Sequence, residues 1–230
     1  MLESCCVVNP IKKIIKSLIG TDGYAFLLNT KLGSTLHHQL HSDSTTSRDF
    51  LLQLFPKFSI GAEIGVDDGN FSERILEIVR PQKLHLIDPW EFKNDDEYSS
   101  TPYGTDHVDN QKLMDKKYEN VKKKLSSSIE KNQSVIHRGY SEQIYNTFDN
   151  DYLNWVYIDG NHLYAFVKKE LNLCYSKVKP GGLITGDDYS EGGWSSGGVK
   201  RAVDEFINTG LVKLIQIKNK QFILQKLAKP

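Results

Sequence analysis

Five carboxylates and one histidine carry the chemistry this sequence can offer, and each stands just after a short apolar run. Glu63 follows Ile60-Gly61-Ala62, and Asp88 follows Leu84-His85-Leu86-Ile87. Asp159 follows Trp155-Val156-Tyr157-Ile158, with His162 three residues on, and Asp187-Asp188 follow Leu183-Ile184-Thr185-Gly186. Asp159, Asp187 and Asp188 would be neighbours if their two runs were adjacent strands. Three carboxylates brought that close repel unless one is protonated or a cation sits among them. Hard oxygen donors suit Mg²⁺ or Ca²⁺, so the three are candidate metal ligands. The plainer alternative has Asp187 turning the loop while Asp188 alone faces the site. The ordinary pKa of a histidine lies near neutrality, which suits His162 to removing a hydroxyl proton.

Around Glu63 the chain reads strand, tight turn, helix. Gly65 and Gly69 bracket Val66-Asp67-Asp68, Ser72 follows, and a helical pattern begins near Phe71. Such a turn brings backbone N–H groups and a helix N-terminus up to a ligand. Asp88 lies 25 residues past Glu63, where its two oxygens match the vicinal hydroxyls of a nucleotide-type ribose. The spacing from Gly65 to Gly69 is not G-x-G-x-x-G, and no hydride-transfer constellation follows, which argues against a dinucleotide-dependent oxidoreductase.

The elements that must position these residues alternate. A short helix from Ser47 (Phe50, Leu51, Leu54, Phe55) leads to Pro56 and the first strand. Phe71, Ile75, Leu76, Ile78 and Val79 give a helical face that Arg80-Pro81 stops. Lys83–Ile87 is a second strand. Met114, Tyr118, Val121 and Leu125 mark a lysine-rich helix, and Ser134–His137 a third strand, followed by Tyr140-Ser141. The fourth strand, Asn154–Ile158, precedes a helix over Leu163, Phe166, Val167, Leu171 and Cys174. Pro180-Gly181-Gly182 turns into a fifth strand, Leu183–Thr185. After a glycine-rich loop, Val199, Ala202, Val203, Phe206 and Ile207 form an amphipathic helix. Val212–Ile217 and Gln221–Leu227, joined by Lys218-Asn219-Lys220, close the chain as a hairpin. The alternation predicts an α/β, Rossmann-like doubly wound sheet, mostly parallel, with the ligand at the carboxyl ends of its strands.

Lys+Arg and Asp+Glu balance at 29 each, so no global charge favours nucleic acid or an acidic membrane. Three cysteines (Cys5, Cys6, Cys174) make neither a disulfide framework nor a zinc spacing. With no signal-peptide order and no apolar run of spanning length, a cytoplasmic location is expected. Ile11, Ile14, Ile15, Leu18 and Ile19 form one face of a short basic helix, expected to pack on its own domain or on a second copy, which leaves a homo-oligomer open. His37, His38 and His41 are expected to be solvent-facing or substrate-loop histidines and not a metal site.

Taken in order, these blocks resemble the class I S-adenosylmethionine-dependent methyltransferases over roughly residues 60–227. Glu63-Ile64-Gly65-Val66-Asp67-Asp68-Gly69 resembles the first motif, with Asp67 in place of the commonest middle glycine. Ile158-Asp159-Gly160-Asn161-His162-Leu163-Tyr164, Pro180-Gly181-Gly182, Gly186-Asp187-Asp188-Tyr189 and Gly198 through Phe206 resemble the branch of small O-methyltransferases that includes the macrocin and mycinamicin sugar enzymes. The resemblance implies seven strands with the last antiparallel, and a methyltransferase domain over 56–230 behind an N-terminal helical and loop cap over 1–55. It implies that Glu63, Gly65, Gly69 and Ser72 surround the methionine part of S-adenosylmethionine, with Asp159 beside them. Asp88 would bind the ribose, and Tyr140 and Ser141 would border the adenine. It also implies Mg²⁺ on Asp159, Asp187 and Asp188, although this branch often carries Glu-Asp where this chain has Asp187-Asp188. His162 is then the base, with Asp159 its catalytic companion.

The expected activity is transfer of the methyl group to a hydroxyl of a small molecule, a sugar in the first instance, leaving S-adenosylhomocysteine. The alternatives are a catechol-like phenol as acceptor, or a non-catalytic protein that binds the cofactor on the same fold.

Overall fold

Seven short runs of β-branched and aromatic residues become one sheet, and the alternation along its central strand decides what lies on either face. The computed structural model describes residues 47–92, 110–192 and 196–228. The basic helix expected near the N-terminus, Cys5 and Cys6, His37, His38 and His41, and Trp194 lie outside the described residues.

In chain order the elements are α1 (Asp49–Leu52), β1 (Ile60–Ile64), α2 (Asn70–Ile78), β2 (Lys83–Asp88), α3 (Asn110–Lys124), α4 (Ser126–Glu130) and β3 (Ser134–Arg138). Then come α5 (Ser141–Tyr145), β4 (Leu153–Ile158), α6 (Tyr164–Lys177), β5 (Val178–Gly186), α7 (Gly198–Ile207), β6 (Val212–Lys218) and β7 (Gln221–Lys226). The strand order is β3-β2-β1-β4-β5-β7-β6. All pairings from β3 to β5 are parallel, and β7 runs antiparallel to both β5 and β6. This is the expected Rossmann-like sheet of seven strands. Chain order reverses between β1 and β4, and that switch point opens the crevice in which doubly wound sheets bind ligands.

Along β4, Trp155 and Tyr157 point into one core, and Val156 and Ile158 into the other. The first core gathers Leu51, Leu52 and Phe55 with Phe71, Ile75, Met114 and Val121. The second gathers Val167, Leu171 and Cys174 of α6 with Val199, Val203 and Phe206 of α7. Gly61 lies against the first: a Cβ there would stand 2.1 Å from the Trp155 ring, which Phe55 stacks on at 4.3 Å between centroids. α1, only one turn long, is tied down by Leu51, Leu52 and the Asp49–Arg74 ion pair at 2.6 Å.

Three details depart from the sequence reading. β5 starts at Val178, so Pro180-Gly181-Gly182 lies within the strand and not before it. Its register slips between Leu153↔Val178 and Trp155↔Leu183, which the positive φ of Gly181 (80°) accommodates. α4 and α5 are short helices with no apolar periodicity of their own. The closing hairpin turns on two residues, Asn219 (φ 51°) and Lys220 (φ 61°), the left-handed pair that matches strand twist. That turn brings Lys220 over the end of β5.

Candidate active site

The crevice is built from the ends of β1, β4 and β5 and the loops that follow them. Gly65 leaves β1 at φ 84°, and its N–H donates to the Ile87 carbonyl at 2.9 Å. A Cβ there would lie 2.1 Å from the carbonyl oxygen of Asp159, so only glycine lets the β1 turn meet the β4 loop. Gly69 (φ 71°) caps α2 in the left-handed region and donates to the Val66 carbonyl at 2.8 Å. The turn is thus closed on itself, with the N-terminus of α2 beside it.

Glu63 is 1% exposed at the end of β1. Its Oε2 accepts a 2.6 Å hydrogen bond from the buried Ser72 hydroxyl. Burial pushes its carboxyl up to about 8, against the lowering pull of Ser72; Asp159 adds to the rise. At neutral pH Glu63 therefore holds a proton, a placement fit to ionise when a cation arrives.

Asp88 lies where a ribose acid is expected, at the tip of β2, and it is already at work. Its Oδ2 accepts from the N–H groups of Val66 (2.9 Å) and Asp67 (3.0 Å), and its Oδ1 from Trp90 (2.8 Å). Asp88 therefore sets the shape of the glycine turn itself. The Trp90 indole reinforces it by donating to the Asp67 carbonyl at 3.0 Å, and Lys117 pairs with the Asp67 carboxylate. On the far side, the Tyr140 hydroxyl donates to Glu91, and Ser141 donates to Glu170 at 2.5 Å.

Asp159 and Asp187 come together at the ends of β4 and β5, while Asp188 faces away from them. What stands between the first two is a side chain the sequence reading missed. Arg48, just before α1, donates through Nη1 to Asp159 at 2.7 Å and through Nη2 to Asp187 at 2.5 Å. Its guanidinium lies 5.5 Å from the centre of the Phe71 ring and 6.0 Å from that of Tyr157. Burial works against its charge, but Asp159 and Asp187 outweigh that and hold its proton more firmly than usual. The second oxygen of Asp187 accepts from the Gln221 amide, whose own Oε1 accepts from the Tyr157 hydroxyl at 3.0 Å. Burial and the nearby Asp159 raise the Asp187 carboxyl above the ordinary range.

Asp188 (φ 61°) turns the other way, toward His162 at 3.3 Å and Lys220 at 3.7 Å. Burial would raise its carboxyl, yet these two partners draw it below the usual value. His162 is clasped between Asp188 at Nδ1 and Asp159 at Nε2, both 3.3 Å away. Burial pulls its pKa down, but the two carboxylates win and lift it to about 9. The loop is fixed by the Asn161 side chain, which accepts from the Leu163 N–H at 2.8 Å. Gly198, at the start of α7, adds to this: a Cβ there would come within 2.7 Å of the His162 carbonyl oxygen.

A divalent cation does not fit the acids as arranged. Asp159 and Asp187 are turned onto a guanidinium and Asp188 onto His162 and Lys220. Among the described residues no set of three acid, histidine or cysteine side chains converges as a metal cage. Arg48 is separated from Asp159 by 111 residues and belongs to no motif; a lone arginine before a short helix gives no signal in sequence. Gln221 and Lys220 were readable only as hairpin residues.

A family model described as a methyltransferase domain matches residues 62–189, more than half of the chain. No curated protein matches it. Among solved structures, a candidate caffeoyl-CoA O-methyltransferase from Staphylococcus aureus superposes with a TM-score of 0.56 at 14% identity, covering 95% of this chain and 100% of its own. A candidate methyltransferase from Streptococcus mutans, solved with S-adenosylhomocysteine, gives 0.52 at 15% identity over 79% and 96%. The N-methyltransferase NodS from Bradyrhizobium japonicum gives 0.52 at 12% identity over 82% and 97%. Neighbours that differ in acceptor atom share the fold, so the likeness speaks for the fold alone. Among the described residues no helix is long and apolar enough to cross a membrane.

Proposed function

The chain belongs to the class I, S-adenosylmethionine-dependent methyltransferase-domain family, and from that premise we propose that it methylates a hydroxyl of a small molecule, a sugar hydroxyl first among the candidates. The observation that carries the oxygen acceptor is His162 held between Asp188 and Asp159, the residue whose backbone meets the glycine turn at Gly65. A neutral amine attacks an electrophilic methyl group with its own lone pair. An alcohol needs its proton drawn off as the new bond forms; the incoming hydroxyl would take the place of one carboxylate at a ring nitrogen of His162, and the other carboxylate would then orient the imidazole as the base. With a pKa of about 9, roughly 1% of His162 is neutral at pH 7, so its share of the work grows with pH.

Bound S-adenosylmethionine supplies a methyl group on a positively charged sulfur. The chain supplies the seat. Gly65 lets the turn after β1 meet the β4 loop, Gly69 caps α2, and the Glu63 carboxyl with its Ser72 hydrogen bond takes the cationic methionine end. Asp88 fixes the turn through its three backbone hydrogen bonds and, at the tip of β2, is the ribose-side carboxylate of this reading. Tyr140 and Ser141 border the adenine. Asp159 orients His162, and the acceptor lies between His162 and the methyl group, so that the protein contributes chiefly alignment. Mg²⁺ has no part in this reading, because Arg48 stands between Asp159 and Asp187. The macrocin-like sugar branch remains the proposed affiliation on the strength of its sequence blocks.

The test is methyl transfer from labelled S-adenosylmethionine to three acceptor panels: sugars with free vicinal hydroxyls, catechols and primary amines. The expected result is a labelled methyl ether on a sugar, lost in His162→Ala. Turnover of catechols alone would move the reading to its phenol alternative. Labelling of amines that His162→Ala leaves intact would refute it, and cofactor binding without transfer on any panel would leave a non-catalytic binder.

A further inference from the structure

The acids at the ends of β4 and β5 invite a metal ion, and the seat is taken by a side chain. We infer that Arg48 is the resident cation of this cluster: its guanidinium holds Asp159 and Asp187 in register across the crevice, in the position a divalent ion would otherwise occupy.

Four observations support this. Arg48 makes two separate charge-assisted bonds, 2.7 Å to Asp159 and 2.5 Å to Asp187, one from each terminal nitrogen. A planar fork can span two carboxylates in this way; a point charge of the lysine kind cannot. The guanidinium also rests against Phe71 and Tyr157, aromatic faces that suit a cation. Its backbone is fixed as well. The Arg48 carbonyl accepts from the Leu51 N–H at 3.0 Å, and α1 is anchored by buried Leu51 and Leu52 and by the Asp49–Arg74 pair. Finally, the free oxygen of Asp187 is claimed by Gln221 and that of Asp159 by His162, so both acids are satisfied around the arginine.

The consequence is chemical. Two carboxylates that a divalent ion would pin by coordination are pinned by hydrogen bonds. Arg48 is thus a positioning residue: it acts on the reaction through Asp159, which in turn orients His162. A guanidinium keeps its charge at every working pH and does not exchange with the medium. The cluster is then indifferent to chelators, and a metal enters only where Arg48 has been removed.

The experiment titrates the full chain with Mn²⁺, followed by electron paramagnetic resonance of free Mn²⁺, without cofactor or acceptor. Neither the acceptor class nor turnover enters this readout, so its failure would return a metal to the cluster but leave methyl transfer to a hydroxyl standing, and the reverse. The wild-type chain is expected to show no saturable Mn²⁺ site below about 1 mM, the weak end of protein sites for hard cations. Arg48→Met keeps the stem over Phe71 and Tyr157 but removes the charge. It is expected to gain one site per chain, at least tenfold tighter, that Asp187→Asn in the same background abolishes. Arg48→Lys is expected to stay metal-blind, because its charge remains. Saturable wild-type binding that Asp187→Asn removes would overturn the inference, as would a folded Arg48→Met chain that binds no Mn²⁺. Should Arg48→Met fail to fold, the wild-type and Asp187→Asn titrations still decide it.

Discussion

Replacing Glu63 by Gln isolates the most strongly perturbed carboxyl of the cofactor seat. In the folded chain its pKa is raised to about 8, and an ordinary glutamic acid sits at 4.5. Burial causes the shift: Glu63 is 1% exposed and its charge has left water. A raised acid favours folding fully below pH 4.5, and that contribution is lost as pH climbs through 8. The gap corresponds to on the order of 4 to 5 kcal/mol across the window, an upper figure. Urea unfolding of the wild-type chain should therefore weaken between pH 4.5 and 8, and Glu63→Gln should flatten that slope while keeping the oxygen that Ser72 donates to. Cofactor binding gives the sharper readout. A cationic methionine end beside Glu63 favours the carboxylate, so binding at pH 7 should release about 0.9 proton, the fraction protonated in the free chain. Calorimetry in two buffers of different ionisation enthalpy counts that proton. A wild-type chain that binds S-adenosylmethionine with no proton release, or a Glu63→Gln chain that releases as many, would refute the placement of Glu63 at the methionine end.

Further outcomes follow from the same geometry. The rate of methyl transfer should rise with pH toward about 9, the value at which His162 loses its proton, and Asp188→Asn should move that limb to lower pH by removing one of the two carboxylates that raise it. His162→Ala should lower kcat by about a hundredfold to ten-thousandfold, the usual worth of a positioned base. Gly65→Ala should abolish cofactor binding and destabilise the fold, since its Cβ would sit 2.1 Å from a backbone oxygen at φ 84°; an intact binding isotherm would show that the turn can reopen. His85, held down to about 4 by burial and by its neighbours His137 and Lys83, should stay neutral above pH 5 in proton NMR titration. A depressed histidine favours folding above pH 6.5 and loses that contribution as pH falls through 4, the opposite sense to Glu63.

The legible parts of the chain were those whose physics is local. Apolar runs ended by an acid or a glycine gave the strands, because the sheet needs alternation before a turn. The Lys218-Asn219-Lys220 hairpin was readable from residues that tolerate left-handed backbone. Glu63, Gly65, Asp88, Asp159, His162, Asp187 and Asp188 lie where strand ends must lie in such a sheet. Their partners were not readable. Nothing local joins Arg48 to Asp159, or Gln221 to Asp187 34 residues earlier, because those pairings exist only once β4, β5 and β7 are side by side. Likewise Asp88 was read from its position as a ribose ligand, whereas its three backbone hydrogen bonds depend on how the turn after β1 folds over β2. The start of β5 was missed for a related reason. Pro180-Gly181-Gly182 has turn composition, and only pairing with β4 makes it strand.

Charge balance ties the two seats together. In the crevice Asp159, Asp187 and Asp188 face Arg48, protonated His162 and Lys220, three against three, with Glu63 protonated nearby. S-adenosylmethionine at neutral pH carries one net positive charge. Ionisation of Glu63 on its arrival would answer that charge locally, which lowers the penalty of bringing a cation into a low-dielectric seat. A divalent ion added to the same cluster would bring two positive charges with no second acid to answer them. It could enter only by displacing Arg48. The proton count on cofactor binding and the Mn²⁺ titration of Arg48→Met therefore probe one electrostatic arrangement from its two ends. If the wild-type chain took up cofactor and Mn²⁺ together, with Arg48 in place and no proton released, that arrangement would be wrong.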